Sequence, residues 1–311
     1  MGLEIAQNNL PLIEINEETI SLRSTADQVC QALETYGCFL AKYDKLSPDL
    51  HHEMFKVSKD LFQLPKETKV KNTGKILGFG YGTNFPFMPL VEYISIENAA
   101  TVDATKEFTN LMFPSGNDDF CDTAYTYSKL LSELDATVTR LVFSSYGVDE
   151  SCYDLINSSF YCVRFLKYRT PDPEELNVGL HPHVDKDFLG VVDTNHVSGL
   201  ELQMRNGEWI SYYPSPTFSS IFIIIAGEPF QAWSNGRIFA PLHKVLMKGT
   251  EEKFSIAQFS FMSDKIRVPK ELIDEQNPLK FKEFNHLEFL QYIQEEKRYH
   301  VERSIVPFCG V

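Results

Sequence analysis

The chain has 311 residues, 43% of them hydrophobic and 13% aromatic, and a formal net charge of −14 at pH 7. This composition supports a packed core and excludes a wholly disordered chain, and the acidic charge without a clustered basic run argues against a nucleic-acid partner. The longest apolar run, Ile221–Ala226, is too short to cross a membrane and predicts a buried strand.

The six cysteines show no CxxC spacing and no regular pairing pattern, and no secretory signal peptide is recognisable at the start of the sequence. We therefore expect reduced thiols and a cytoplasmic protein. The length suits one large or two modest domains. Because no repeat, low-complexity tract or linker interrupts it, we expect residues 1–311 to form a single catalytic unit, and we expect a monomer.

The first elements of the chain are short. Alternating apolar and polar residues predict a strand over 10–16, and the short run 38–41 predicts a second strand. Between them, Ser24 is a candidate N-cap for a helix with Val29 on its buried face, and Gly37 suits the left-handed residue that follows a helix.

Two further helices have clear start signals. Ser47 followed by Pro48 predicts a helix start, since proline is favoured in the first turn, and Pro65 ends this helix. Asn117 is expected to cap a long helix over about 118–145, whose apolar residues recur at helical spacing and form a core face.

Residues 72–96 alternate glycines with aromatic residues and end in a strand-like run at 91–96. No Lys-Ser/Thr pair follows the glycines and no helix begins there, which excludes a phosphate-binding loop. A lid that faces the substrate and a plain surface connection are equally good interpretations.

Over 160–262 the apolar pattern changes to a period of two, which predicts a series of short, aromatic-rich strands. The tail over 285–299 predicts an amphipathic helix with Leu287, Leu290 and Ile293 on one face. We expect this helix to cover the outside of a β-barrel.

His181, His183 and Asp185 lie within five residues of one another. In an extended strand, residues i and i+2 point to the same face, so His183 and Asp185 can reach one ion, and His181 competes for the same role. Two histidines and a carboxylate leave positions open, as in Fe(II) oxygenases, whereas a structural zinc site is closed by four ligands, usually with cysteine. His243, on a more distant strand, is the candidate third ligand.

Residues of about 160–262 resemble the catalytic barrel of the plant 2-oxoglutarate- and Fe(II)-dependent dioxygenases. The motifs that carry the resemblance are His183-Val-Asp185, Gly199-Leu-Glu-Leu202, Gly207-Glu-Trp-Ile210, Trp233-Ser-Asn-Gly-Arg237, Pro241-Leu-His243 and Phe254-Ser-Ile-Ala257. Asp185-Lys-Asp187 and Lys248-Gly249 are similar to the branch whose members modify glucosinolate side chains or oxidise auxin. With the N-terminal strand included, the resemblance covers nearly the whole chain.

The resemblance implies a mainly β fold with flanking helices. Its core would be a double-stranded β-helix (jelly roll) at 159–265, after a region of helices and strands at 1–158 and before a C-terminal helical extension at 266–311. The family's iron ligands would be His183, Asp185 and His243, and its contacts to the distal carboxylate of 2-oxoglutarate would be Tyr168, Lys253 and Ser255.

Two departures from the family's pattern concern the co-substrate. Lys253 stands where the family normally has an arginine, and lysine offers a compact point charge instead of a bidentate fork. A functional lysine, a differently placed co-substrate acid and a decayed site all remain open interpretations. Leu166 replaces an asparagine that many relatives carry two residues before Tyr168.

The implied activity uses Fe(II), 2-oxoglutarate and O2, with ascorbate in the assay, to hydroxylate, desaturate or dealkylate a small specialised metabolite or hormone. The retained Asp185 argues against halogenation. Candidate residues of the substrate pocket are Tyr81, Phe85, Phe87, Arg164 and Phe261. Ordinary packing is the preferred interpretation of the aromatic ones, and Arg164 is either a contact to an acidic substrate or a surface residue.

Two other classes of function remain open. A metal-dependent isomerase or oxidase would bind metal and turn over without 2-oxoglutarate. A catalytically silent barrel would only bind a small molecule, as expected if Lys253 cannot hold the co-substrate.

Overall fold

The computed structural model describes residues 10–76, 78–86, 88–148, 153–214, 220–295 and 303–311. The strands within these ranges are β1 (Leu12–Glu14), β2 (Cys38–Lys42), β3 (Tyr81–Phe85), β4 (Met88–Glu97), β5 (Ser159–Tyr168), β6 (Val178–His183), β7 (Leu189–Thr194), β8 (Leu200–Gln203), β9 (Trp209–Ser211), β10 (Ile221–Ala226), β11 (His243–Leu246) and β12 (Lys253–Met262). The helices are α1 (Arg23–Thr35), α2 (Pro48–Gln63), α3 (Lys66–Lys69), α4 (Val102–Met112), α5 (Asp118–Ser145), α6 (Asp154–Asn157), α7 (Glu228–Trp233), α8 (His286–Glu295) and α9 (Ile305–Cys309).

The strands form two sheets. The larger has the order β1-β2-β10-β7-β12-β5-β4-β3, and the smaller has the order β6-β11-β8-β9. Strands β5 to β12 contribute four neighbours to each sheet, and inward side chains of both sheets line one cavity. This is the arrangement of a double-stranded β-helix, and it confirms the predicted mainly β fold with flanking helices.

Strand β12 shows how the barrel is built. All ten of its residues are buried, because one face lines the barrel interior and helices cover the other. Lys253, Ser255 and Phe261 lie on the inward face, as expected from the alternation of side chains along a strand. On the outward face, Gln258 accepts a hydrogen bond of 2.7 Å from the Ser128 hydroxyl of α5.

Two predicted helix starts are confirmed. Helix α2 begins at Pro48, and the Ser47 hydroxyl accepts from the backbone N–H of Leu50 at 3.2 Å. Helix α5 begins after Asn117, whose side-chain oxygen accepts from the backbone N–H of Phe120 at 3.0 Å. Each side chain satisfies a backbone donor that the first turn of a helix leaves without a partner.

The predicted cap of α1 is wrong. The helix begins at Arg23, its N-cap is Leu22, and Ser24 lies inside the first turn. The Arg23 guanidinium donates to the backbone oxygens of Ser144 and Ser145 at the end of α5, both at 2.7 Å. These contacts from another helix favour a helical Arg23, and local sequence does not reveal them.

Part of the glycine- and aromatic-rich segment forms a β-hairpin, and the predicted strand at 91–96 lies within its second strand. Strands β3 and β4 pair antiparallel, and β4 continues the large sheet by pairing with β5. The side chains of this hairpin therefore reach the barrel from the edge of the large sheet.

The C-terminal helix also differs from the prediction. Leu290 and Ile293 of α8 are buried, but Leu287 is 37% exposed and lies on another face. The helix contributes to a cavity wall and does not merely cover the barrel's outside. Residues 296–299 of the predicted helix lie outside the described residues.

None of the helices in the described ranges combines the length and the apolar character needed to cross a lipid bilayer. The cysteines in these ranges are free thiols, and Cys152 lies outside them.

Candidate metal centre and cavities

The register between two strands brings the predicted metal ligands together. His243 on β11 is the pairing partner of His183 on β6, and Asp185 follows β6 by two residues. The Nε2 atom of His183 lies 3.5 Å from Asp185 Oδ1, and that of His243 lies 3.5 Å from Asp185 Oδ2. One ligand atom from each of the three residues lies within 4.8 Å of the others.

Backbone oxygens orient both imidazole rings. His183 Nδ1 donates to the His181 oxygen at 2.9 Å, and His243 Nδ1 donates to the Pro241 oxygen at 3.2 Å. Each ring therefore presents Nε2 towards Asp185, as in a metal site whose ligands are held by outer hydrogen bonds. His181 contributes its backbone oxygen, and its exposed ring is outside the three-residue group.

The charge states fit a divalent metal. Burial lowers the pKa of His243 to about 4, so its ring is neutral at pH 7. Burial alone would raise the pKa of the Asp185 carboxyl. The electrostatic effect of the neighbouring His243 and His183 is larger and holds this pKa below its usual range. Two imidazole ligands and one carboxylate suit Fe(II) and leave coordination positions open.

An inner cavity of about 70 Å³ extends from the three ligands into the barrel. The structure brings the three predicted co-substrate residues together on its wall, where Tyr168 on β5 is the pairing partner of Lys253 on β12. The Lys253 ammonium donates to the Thr194 hydroxyl and, at 2.8 Å, to the Val197 oxygen. The Ser255 hydroxyl donates to the same Thr194 hydroxyl at 3.3 Å.

Burial controls the protonation of this wall. It lowers the pKa of Lys253 to about 7, although the charge of Asp193 opposes the shift. It raises the pKa of the Tyr168 phenol, which therefore remains a hydrogen-bond donor at neutral pH. Leu166, where relatives carry asparagine, adds an apolar side chain to the wall.

An outer cavity of about 170 Å³ lies on the other side of the ligands, and Arg164 and Phe261 line it as predicted. Tyr81 and Phe85 are absent from its wall. The Tyr81 hydroxyl donates to Glu92 at 3.0 Å, and the Phe85 ring stacks on Tyr93. Phe87 lies outside the described residues.

Sequence reasoning missed several apolar wall residues of the outer cavity. They are Phe79, Met88, Phe259, Leu290 and Ile293. Phe259 was accessible from the sequence, because it alternates with Phe261 on β12. The two α8 residues were not, since no sequence signal places that helix at the mouth.

A buried histidine attaches α8 to the barrel. His286 Nδ1 accepts from the backbone N–H of Met262 at 3.2 Å, and its Nε2 donates to the Lys186 oxygen at 2.8 Å. Burial lowers the His286 pKa to about 4, so the ring stays neutral and makes both bonds. The helix is thus tied to the end of β12 and to the segment after the metal ligands.

Comparison with known proteins decides the family. The model of the 2OG-Fe(II) oxygenase superfamily matches residues 158–261, and that of the "non-haem dioxygenase in morphine synthesis N-terminal" region matches residues 10–119. The probable 2-oxoglutarate-dependent dioxygenase AOP1 of Arabidopsis thaliana is 33% identical over 300 residues, which cover 92% of this chain and 97% of that protein. The chain belongs to the 2OG-Fe(II) oxygenase superfamily.

Solved structures agree with this oxygenase in fold. The dioxygenase for auxin oxidation 1 from Arabidopsis thaliana, in complex with 2-oxoglutarate, is 28% identical with a TM-score of 0.79, covering 86% of this chain and 99% of that one. The rice dioxygenase for auxin oxidation is 24% identical with a TM-score of 0.81, covering 97% and 100%. The predicted family is confirmed, and the oxygenase is a dioxygenase that depends on Fe(II) and 2-oxoglutarate.

Proposed function

We propose that the three-residue group His183, Asp185 and His243 holds the Fe(II) of this dioxygenase. The observation that carries the proposal is their convergence, with both free Nε2 atoms beside one carboxylate at the junction of two cavities. An ion bound there is reached by the co-substrate from the inner cavity and by the substrate from the outer cavity.

The proposed co-substrate contacts are Lys253, Ser255 and Tyr168. They are an ammonium and two hydroxyls on one buried wall, and together they suit the distal carboxylate of 2-oxoglutarate. Bound Fe(II) supplies the activation of O2 coupled to oxidative decarboxylation of 2-oxoglutarate. The chain supplies the rest: it orients the co-substrate, excludes water through the apolar walls, and holds a substrate C–H bond near the ligands.

For the substrate, we propose a small specialised metabolite or hormone that occupies the outer cavity beside Arg164 and Phe261. The cavity's volume and mostly apolar wall support this class, as does the similarity to the Arabidopsis thaliana dioxygenase for auxin oxidation 1. Hydroxylation is the proposed outcome, with desaturation or dealkylation as variants of it.

The proposed working form is a cytoplasmic monomer that acts on a small molecule without a nucleic-acid or membrane partner. The free thiols and the acidic net charge support it. The proposed division is a jelly-roll core at 159–265, an N-terminal region at 1–158 and a C-terminal extension at 266–311, within a single catalytic unit. The span of β5 to β12 supports these boundaries.

The test is an anaerobic titration with Fe(II) and 2-oxoglutarate, followed by the weak visible charge-transfer band of the chelate. We expect the band in the wild type and its loss in His243→Gln and Asp185→Asn. His181→Ala is the matched control and should keep the band, because the hydrogen bond that orients His183 is made by the His181 backbone oxygen, which the substitution retains. A wild type without a band at millimolar 2-oxoglutarate would overturn the proposal.

A further inference from the structure

Arg164 is a cation on the inside of the barrel. It shares the inward face of β5 with Leu166 and Tyr168, because alternate residues of a strand point the same way. Its side chain lines both the inner and the outer cavity. An arginine in that position contacts any molecule that occupies the cavities beside the proposed metal ligands.

The guanidinium of Arg164 is held in place. Its Nε donates to the Gly78 oxygen at 2.9 Å, and its Cζ lies 4.7 Å from the ring centroid of Phe259 and 5.6 Å from that of Tyr93. A Cβ at Gly78 would lie 2.2 Å from a terminal nitrogen of Arg164, so a larger residue there would displace the guanidinium from this position. A cation fixed in this way is preorganised for a ligand.

The guanidinium of Arg164 has no carboxylate in contact within the part of the chain that the structure describes. No carboxylate oxygen lies within 4 Å of it, and the charges of Asp185 and Asp187 act on it only from a longer distance. Lys186, on the same cavity wall, pairs directly with Glu228 at 2.7 Å. Because charges removed from water are normally paired, the guanidinium can take a contact partner from outside the chain.

The co-substrate does not supply this contact partner if the proposed function holds. The distal carboxylate of 2-oxoglutarate would balance the positive charge of Lys253. Asp185 would balance one of the two positive charges of a divalent metal, and the carboxylate of the keto-acid end would balance the other. No group of the co-substrate is then left to contact Arg164, and the carboxylate of a monoanionic substrate would supply that contact.

The remainder of the outer cavity is apolar. Phe79, Phe261, Met88, Leu290 and Ile293 contribute rings and aliphatic chains to its wall. Its volume of about 170 Å³ is close to that of a protein cavity of roughly 150 Å³ that binds benzene. The space suits one ring or a short chain beside a single charged group.

We propose that the substrate is a small amphipathic carboxylic acid whose carboxylate binds the Arg164 guanidinium and whose apolar body lies between Phe261 and Leu290. The inference rests on the proposed function and narrows its substrate class. Arg164 is then a specificity-determining residue, since a neutral compound of the same shape would leave its charge unpaired.

The test uses the anaerobic complex with Fe(II) and 2-oxoglutarate and matched pairs of probes. These are phenylacetate, 3-phenylpropionate and hexanoate, each beside its primary amide. Binding next to the metal is followed by the shift of the chelate band as each compound is added. We expect at least one acid to bind roughly 10- to 100-fold more tightly than its amide, as for a hydrogen bond between charged groups.

Arg164→Gln should remove the preference for the acid, and Arg164→Lys should retain part of it. Arg169→Gln is the matched control, because Arg169 follows the same strand but is exposed and paired with Glu175. The chelate band formed with 2-oxoglutarate alone, together with the melting temperature, shows whether each variant is folded and loaded.

The outcomes separate this inference from the proposed function. A chelate band in the wild type, with no acid binding better than its amide, overturns the acid class and leaves the proposed function standing. A loss of 2-oxoglutarate affinity in Arg164→Gln as large as that in Lys253→Met assigns Arg164 to the co-substrate and overturns the inference. Without a band in the wild type, both fail.

Discussion

The ammonium group of Lys253 on β12 donates to the hydroxyl of Thr194 on the neighbouring strand β7. Its other protein partner is the Val197 backbone oxygen, and no carboxylate in the described ranges lies within 4 Å of it. Burial among neutral partners lowers the Lys253 pKa to about 7. An arginine would stay charged at any physiological pH, so the lysine makes the co-substrate site sensitive to pH.

Co-substrate affinity should therefore fall as pH rises. A bound carboxylate favours the ammonium and raises the Lys253 pKa above its value in the free protein, so binding takes up a proton. The affinity for 2-oxoglutarate should be highest below about pH 7. Above that pH it should fall about tenfold for each further pH unit, until the pH reaches the pKa of Lys253 in the complex. Isothermal titration with 2-oxoglutarate at saturating metal, in buffers of different ionisation enthalpy, measures both the affinity and the proton uptake.

Lys253→Arg is the matched variant for that experiment. It should bind 2-oxoglutarate with no proton uptake and with an affinity that stays constant between about pH 6 and 9, because the guanidinium remains charged. A wild type that binds equally well across this range would show that the acid does not bind Lys253.

The two hydroxyls on the co-substrate wall should contribute less than the ammonium. Tyr168→Phe and Ser255→Ala should each weaken 2-oxoglutarate binding by about 1–1.5 kcal/mol, roughly tenfold, the usual effect of losing one hydrogen bond. Titration of the chelate band measures the change. Ser260→Ala is the control on the same strand, because the Ser260 hydroxyl bonds the Leu189 backbone and should affect stability without affecting affinity.

The side chain of Glu228 should contribute to stability through contacts that do not include the side chains of the proposed metal ligands. It is fully buried, pairs with Lys186 at 2.7 Å and accepts from the backbone N–H groups of Ser304 and Ile305. Glu228→Gln should lower the free energy of unfolding by about 3–5 kcal/mol, because it leaves a poorly exposed ammonium without its counter-charge. Urea denaturation followed by fluorescence measures the loss.

The exposed pair of Lys42 and Glu14 provides the control for Glu228. Its nitrogen–oxygen distance is also 2.7 Å, but both side chains are at least one-third exposed. Glu14→Gln should leave the denaturation curve unchanged, because water screens the pair. Equal losses for the two substitutions would contradict the role given to burial.

Shortening Leu290 should widen the range of accepted substrates. Leu290 lines the outer cavity and is 7% exposed, so Leu290→Ala enlarges the cavity at that wall. The substitution should weaken the binding of compact substrates by about 1–3 kcal/mol and allow bulkier substrates to bind. Succinate release across a library of compounds graded by size tests this. Leu287→Ala, on the exposed face of the same helix, should keep the wild-type profile, and an identical change in both variants would exclude a wall role for Leu290.

The sequence predicted the parts of the site that depend on local periodicity. His183 and Asp185 share a face because they are two residues apart on an extended segment, and the short motif around His243 completes the set. The positions of Lys253 and Ser255 came from the resemblance, and the structure places both on the inward face of β12.

Features set by distant contacts were not predictable. The start of α1 depends on Arg23 reaching the end of α5, and the placement of α8 depends on His286 bonding two segments far away in the chain. The sequence offered Arg164 as a candidate substrate contact, but it could not show that the guanidinium lines both cavities with no carboxylate of the described residues within 4 Å. No window of sequence contains that information.

The position of helix α8 affects how substrate selectivity can change during evolution. The ligands and co-substrate contacts proposed for the reaction come from barrel strands and the segment after β6, but one side of the outer cavity is closed by a ten-residue helix near the carboxyl terminus. Substitutions confined to that helix can change which molecule is oxidised without disturbing the iron-holding strands. Selectivity for the substrate can therefore change independently of the oxidation reaction, through a few mutations in the part of the gene that encodes this helix.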